Sequence, residues 1–107
     1  MLTGTRLKEK VKPFARRLKG IAHVYRLAIV YLLAQEASQV REITDNLGLP
    51  ENLVSHHLKQ LYLGGWVLKT RKGRDVTYQL NEKAFFEINR LLSDTPYFRE
   101  VLSKYFR

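Results

Sequence analysis

The stretch REITDNLGLPENLVSHHLKQLYLGG, residues 41–65, holds two helical segments separated only by Gly48-Leu49-Pro50. Glycine takes the left-handed conformation that ends a helix sharply, and proline suits the first turn of the next one. The spacing therefore predicts helices over 41–47 and 51–64. Two helices crossing steeply at so short a turn close over one small core, which requires apolar residues at set offsets from the glycine. Ile43 and Leu47 precede Gly48 by five and one, Leu49 plugs the turn, Val54 follows by six, and Thr44 is small where the helices approach. This is the pattern of a helix-turn-helix. A plain helical hairpin lacks what the second helix adds: Glu51, Ser55, Lys59 and Tyr62 share one face, with Asn52 and His56 beside them. Such groups reach base edges or phosphates in a major groove. His57, three after Val54 and four before Leu61, falls on the buried side and reads as a core histidine. As neighbours on one helix, His56 and His57 do not converge on one metal.

Downstream, Trp66-Val-Leu-Lys69 and Val76-Thr-Tyr-Gln-Leu80 are two short β-type runs joined through residues 70–75, with Gly73 marking a hairpin loop. Trp66 reads as a core anchor beneath that hairpin. A helical region begins at Asn81, an N-cap residue, and is expected to bury Phe85, Ile88, Leu91 and Leu92 before Asp94-Thr95-Pro96 interrupts it. The tail repeats the pattern with Tyr97, Phe98, Val101, Leu102, Tyr105 and Phe106. Upstream, Leu7, Val11, Phe14 and Leu18 form one stripe of a helix ending at Gly20, and Pro13 inside it calls for a kink or a fresh start. A second helix is expected over 22–35, burying Val24, Leu27, Ala28, Tyr31 and Leu32, with Ile21 at its boundary. Residues 37–39 read as a connector.

The 107 residues, 45% of them hydrophobic, suit one domain spanning 1–107. No apolar run approaches the roughly 18 residues that cross a bilayer, and the first twelve residues lack an apolar signal region. The expected location is cytoplasmic and nucleoid-associated, away from membranes. The absence of cysteine excludes disulfides, thiolate nucleophiles and thiolate metal sites. The net charge of +9 is concentrated: residues 1–20 carry seven bases and one acid, and residues 59–74 carry five bases and no acid. The remainder of the chain sums to −2. Concentrated basic surface favours a polyanionic partner, because each Lys or Arg near a phosphate releases condensed counterions.

The run Val54-Ser-His-His-Leu-Lys-Gln-Leu61, then Gly64-Gly-Trp-Val67, then Arg71-Lys-Gly-Arg-Asp-Val-Thr-Tyr78 resembles the recognition helix and wing of the ArsR/SmtB family of transcription regulators. The resemblance extends upstream through Ile21-Ala-His-Val-Tyr-Arg-Leu-Ala-Ile29 and covers residues 18–92. It implies a mainly α winged helix-turn-helix of five or six helices with a two-stranded wing. It also implies that Glu51, Asn52, Ser55 and His56 read bases, with Lys59 on the same helix, while Arg71, Lys72 and Arg74 meet the backbone or minor groove. Pro50 and Leu53 depart from the family pattern, where small polar residues are usual.

Family members that sense metals use cysteines on the first helix of the motif, or a set of His and carboxylates on the last helix. Here the first position reads Gln39-Val-Arg-Glu-Ile43, and residues 81–107 contain no histidine. Glu87, Asp94 and Glu100 are too few and too spread for a soft-metal site, so no metal and no cofactor is expected, and no effector is identified. Catalysis finds no residues either: Ser55 with His56 or His57 is the one nucleophile-base pair within reach, and helix neighbours do not face each other. The stripe Leu7, Val11, Phe14 and Leu18, and the C-terminal apolar residues Phe85, Ile88, Leu92 and Tyr105, offer more apolar surface than one small winged helix needs. The family pairs its first and last helices across a two-fold axis, which implies a homodimer on a roughly palindromic duplex operator and repression by occluding a promoter. Two readings compete: a winged helix binding RNA or any duplex through charge alone, and a protein-interaction module using the aromatic C-terminal stripe.

Overall fold

A computed structural model describes residues 2–105 as α1 (Gly4–Lys19), α2 (Val24–Gln35), β1 (Ser38–Gln39), α3 (Val40–Leu47), α4 (Glu51–Leu63), β2 (Val67–Lys72), β3 (Asp75–Leu80), α5 (Glu82–Ser93) and α6 (Pro96–Tyr105). The turn between α3 and α4 follows from Gly48, which has φ 66° and ψ 29° and donates its N–H to the Thr44 carbonyl at 2.9 Å. A Cβ there would meet nothing within 4 Å, so the need for glycine is conformational rather than steric. At the other end of α3, the Gln39 N–H donates to the Glu42 carboxylate at 3.0 Å. Helix α4 starts immediately after Pro50, whose carbonyl accepts from the Leu53 and Val54 amides at 3.1 Å.

The core is assembled from one face of each central element: Ile29, Val30 and Leu33 of α2, Ile43 of α3, Val54, Leu58 and Leu61 of α4, Trp66 and Val67 at the root of β2, and Ala84 of α5. Trp66 locks three elements. Its indole N–H donates to the Arg17 carbonyl at the end of α1 at 2.9 Å, and its ring lies 5.0 Å from that of Phe85 on α5. The Arg17 guanidinium sits 5.5 Å from the same indole and pairs with Glu87 at 2.9 Å. Away from this joint α1 is exposed: every residue from Leu2 to Pro13 faces solvent. The radius of gyration is 16.5 Å, against roughly 13 Å for a compact domain of this length. The excess fits terminal helices α1 and α6, neither of which contributes a buried residue.

Several expectations are corrected. Helix α2 starts at Val24 because His23 caps it, Nδ1 accepting from the Tyr25 N–H at 3.1 Å. It turns a different face inward from the one expected: Val24, Leu27 and Tyr31 are 78%, 58% and 69% exposed, while Ile29, Val30 and Leu33 are buried. The helix is apolar on nearly every side, so its spacing selects no face and the packing of α3 and α4 decides. Of the kink or fresh start that Pro13 calls for, the fresh start is absent, since α1 runs unbroken from Gly4 to Lys19. The carbonyl that the missing Pro13 N–H leaves unpaired lies in the exposed part of the helix, open to solvent. The wing is part of a three-stranded antiparallel sheet in the order β1-β3-β2, because residues 38 and 39 pair with Tyr78 and Thr77 rather than serving only as a connector. Its strands run further than expected, Lys72 pairing with Asp75, so the loop shrinks to Gly73-Arg74, with Gly73 at φ 62°. On α5 the residue fully enclosed is Ala84; Phe85, Ile88 and Leu91 are half-buried and Leu92 is half-exposed. The Asn81 side chain donates to the Gly65 carbonyl at 2.9 Å instead of capping α5. Tyr97 and Tyr105 are exposed, and Phe106 lies outside the described residues.

Candidate nucleic-acid interface

Helix α4 has two faces with opposite chemistry. Val54, His57, Leu58 and Leu61 are buried, whereas Glu51, Asn52, Ser55, His56 and Lys59 are all exposed. The buried set recurs at three- and four-residue spacing, and so does the polar set, which is why one helix carries both. The structure thus places the five sequence-predicted residues on one open side of the second helix of the motif. Tyr62 extends that side by one turn, and the Lys69 ammonium on β2 stands 4.4 Å from its ring centroid. This contact joins the end of the helix face to the root of the wing.

The hairpin continues the basic surface outward. Arg71, Lys72 and Arg74 are exposed. Strand alternation puts Arg71 on the same side of β2 as Lys69 and buried Val67, and Lys72 on the other side. Arg74 occupies the tight turn. Among the described residues the ion pairs are Arg17 with Glu87 and Arg90 with Asp94, and neither involves a base of α4 or the wing.

The predicted pairing residues divide. Leu7, Val11 and Leu18 are exposed, with Phe14 half-buried between them, while Phe85 and Ile88 are already half-covered within the protomer and Leu92 and Tyr105 are open.

Sequence reasoning missed the setting of His57. This residue is 5% exposed, and its Nδ1 accepts from the Arg26 Nε–H at 3.1 Å. Arg26 also donates from Nη1 to the Gly20 carbonyl at 3.1 Å. Burial first, then His23, Arg26 and His56, hold the His57 pKa below its ordinary value. The available signal was the placement of a histidine on an apolar helix face, which demands a hydrogen-bond partner from another element.

Residues 24–67 match the family model described as bacterial regulatory protein, arsR family. Over 63 residues, 59% of this chain, the sequence is 43% identical to the HTH-type transcriptional repressor SmtB of Mycobacterium tuberculosis. The matched part spans about half of that protein, 47% of its length. The arsenical resistance operon repressor of Bacillus subtilis is 31% identical over 87 residues, 80% of each chain. Among solved structures, the homodimeric winged helix-turn-helix DNA-binding domain of a possible ArsR-family regulator from Mycobacterium bovis aligns at a TM-score of 0.66 and 27% identity, covering 98% of this chain and 95% of its own. These relatives are named as transcription regulators and not as enzymes. With the glycine turn, the two-faced α4 and the basic hairpin all in place, the chain belongs to the bacterial arsR family of regulatory proteins and carries its winged helix-turn-helix fold.

Proposed function

We propose that the chain is a sequence-specific repressor that binds duplex DNA as a homodimer on a roughly palindromic operator. The observation that carries this reading is the open polar side of α4 running into the unpaired bases of the wing. Ser55 and His56 read base edges from the middle of that side, Glu51 and Asn52 from its start, and Lys59 meets phosphate toward its end. Arg71, Lys72 and Arg74 hold the backbone or minor groove beside it. Two protomers related by a two-fold axis place two copies of α4 in successive major grooves, and the exposed stripe of α1 with the open residues of α5 and α6 supplies the pairing surface. With no cysteine in the sequence and no histidine in residues 81–107, the repressor works without the metal control that the family resemblance implies for metal-sensing members.

Selection from random duplexes supplies a preferred site, on which variants are compared with an unrelated duplex across several salt concentrations. Ser55→Ala and His56→Ala are each expected to lose roughly 1–3 kcal/mol on the selected site and far less on the unrelated one, since only a correct base offers the lost partner. Arg74→Ala is expected to weaken both and to lower the salt slope by about one per protomer. Equal losses on the two DNAs for Ser55→Ala and His56→Ala refute base reading and leave binding by charge alone.

A further inference from the structure

The three histidines of this chain meet in one place. The His23 and His57 rings lie 4.6 Å apart between centroids, His56 meets His57 edge-on at 5.2 Å, and Tyr25 closes the group at 5.7 Å from His57. Two of these imidazoles have committed their basic nitrogen. Nδ1 of His57 accepts from Arg26 Nε–H, and Nδ1 of His23 accepts from the Tyr25 backbone N–H. A neutral imidazole that accepts at Nδ1 carries its hydrogen on Nε2, so a further proton has only Nδ1 to enter. Protonating His57 therefore turns an acceptor into a donor facing a donor, with an imidazolium beside a guanidinium.

We propose that His57 and Arg26 form a proton-sensitive latch that fixes α4 to the start of α2 at neutral pH and opens in mild acid, so that acidification releases DNA. The inference rests on the reading of α4 as the DNA-contacting helix. The latch lies directly beneath that helix: His57 and the proposed base reader His56 are consecutive, one buried and one exposed. The titratable or charged groups around His57 are His23 ahead of α2, Tyr25 and Arg26 on α2, and His56 on α4 itself. From α3 and β2, which also pack against α4, the core receives apolar Ile43 and Val67. No carboxylate stands among these groups to offset a positive charge, and Arg26 releases the Gly20 carbonyl if it swings away. Simple electrostatics has the opposite sign, since histidines that gain charge near phosphate strengthen DNA binding in acid.

Two measurements on the full chain test the latch. An NMR titration without DNA, from about pH 7.5 to about pH 5.5, follows the His57 imidazole and the Arg26 Nε–H. A shift of the Arg26 Nε–H resonance toward that of a free guanidinium is expected at the midpoint where His57 takes up its proton. Titrations on the selected duplex at constant ionic strength are expected to show affinity falling below that midpoint, by a factor approaching about ten per pH unit for each protomer and so about a hundred for the dimer. His57→Asn places an amide oxygen near the position of Nδ1 and takes up no proton, so its affinity is expected not to fall over the same range. An affinity that rises or stays level in acid for the wild type overturns the proposal, and so does an Arg26 Nε–H that keeps its bonded chemical shift while His57 titrates. Should His57→Asn not fold, the wild-type NMR and DNA arms decide without it. Should no duplex bind at any pH, the reading of α4 fails, while the NMR arm still shows whether the latch opens.

Discussion

Replacing Thr44 by valine is expected to stabilise the fold. The Thr44 hydroxyl lies in α3, sealed from solvent and without a hydrogen-bond partner. A buried hydroxyl left unpaired costs about 1–3 kcal/mol relative to its hydrated state. Valine has the same branched shape and nearly the same helix propensity, and it sets a methyl group where the oxygen stood. Removing the penalty and covering the methyl together are worth about 1–2 kcal/mol, which raises the melting temperature by roughly 4–8 °C per kcal/mol in a domain of this size. Thr44→Ser is the control: it keeps the unpaired oxygen, loses the methyl, and is expected to fall below the wild type by about 0.5–1.5 kcal/mol. Urea unfolding of the three proteins with a shared m-value measures these differences. The backbone bond from Gly48 to the Thr44 carbonyl is untouched, so the turn is expected to keep its geometry. A valine variant less stable than the wild type refutes the reasoning, because it means the hydroxyl has a partner that valine removes.

The depressed His57 pKa gives a sign for the dependence of stability on pH. The native state favours neutral His57, so below about pH 6.5 the unfolded chain binds a proton that the native state declines. This contribution is complete above that value and is lost as pH falls from it toward the lower native pKa; thermal melts are expected to drop over that window, and less steeply for His57→Asn. For the dimer, light scattering is expected to show two copies at micromolar concentration, with Phe14→Asp shifting the population to monomers while circular dichroism stays constant. A folded wild-type monomer at that concentration refutes the pairing surface.

The helix-turn-helix was legible because its chemistry is local. Gly48 needs a left-handed conformation, Pro50 stands just before the first turn of α4, and the alternation of Val54, His57, Leu58 and Leu61 with Ser55, His56 and Lys59 names both faces before any neighbour is known. What escaped the sequence depends on partners far along the chain. The buried side of α2 is chosen by α3 and α4, since VYRLAIVYLLAQ offers apolar residues in every direction. The two residues of β1 become a strand only by meeting Tyr78 and Thr77. Arg26 and His57 are 31 positions apart, and Arg17 and Glu87 are 70 apart; no spacing rule couples residues over such distances. The side of α4 proposed to read DNA was the easiest part to see, and the support beneath it the hardest.

The contact of Trp66 with the end of α1 has an optical consequence. Trp66 is the single tryptophan of the chain, and its indole is enclosed between the Arg17 carbonyl and the Phe85 ring. The emission colour of an indole depends on whether its surroundings are dry or wet. A lifting of α1 from the wing root strips this chromophore of its bonded carbonyl and admits water, which moves its emission toward the red. No other indole dilutes the signal. The joint between the N-terminal helix and the wing root therefore comes with a built-in lamp, and any separation of the two is readable in the unlabelled protein, with and without DNA, from the colour of one residue.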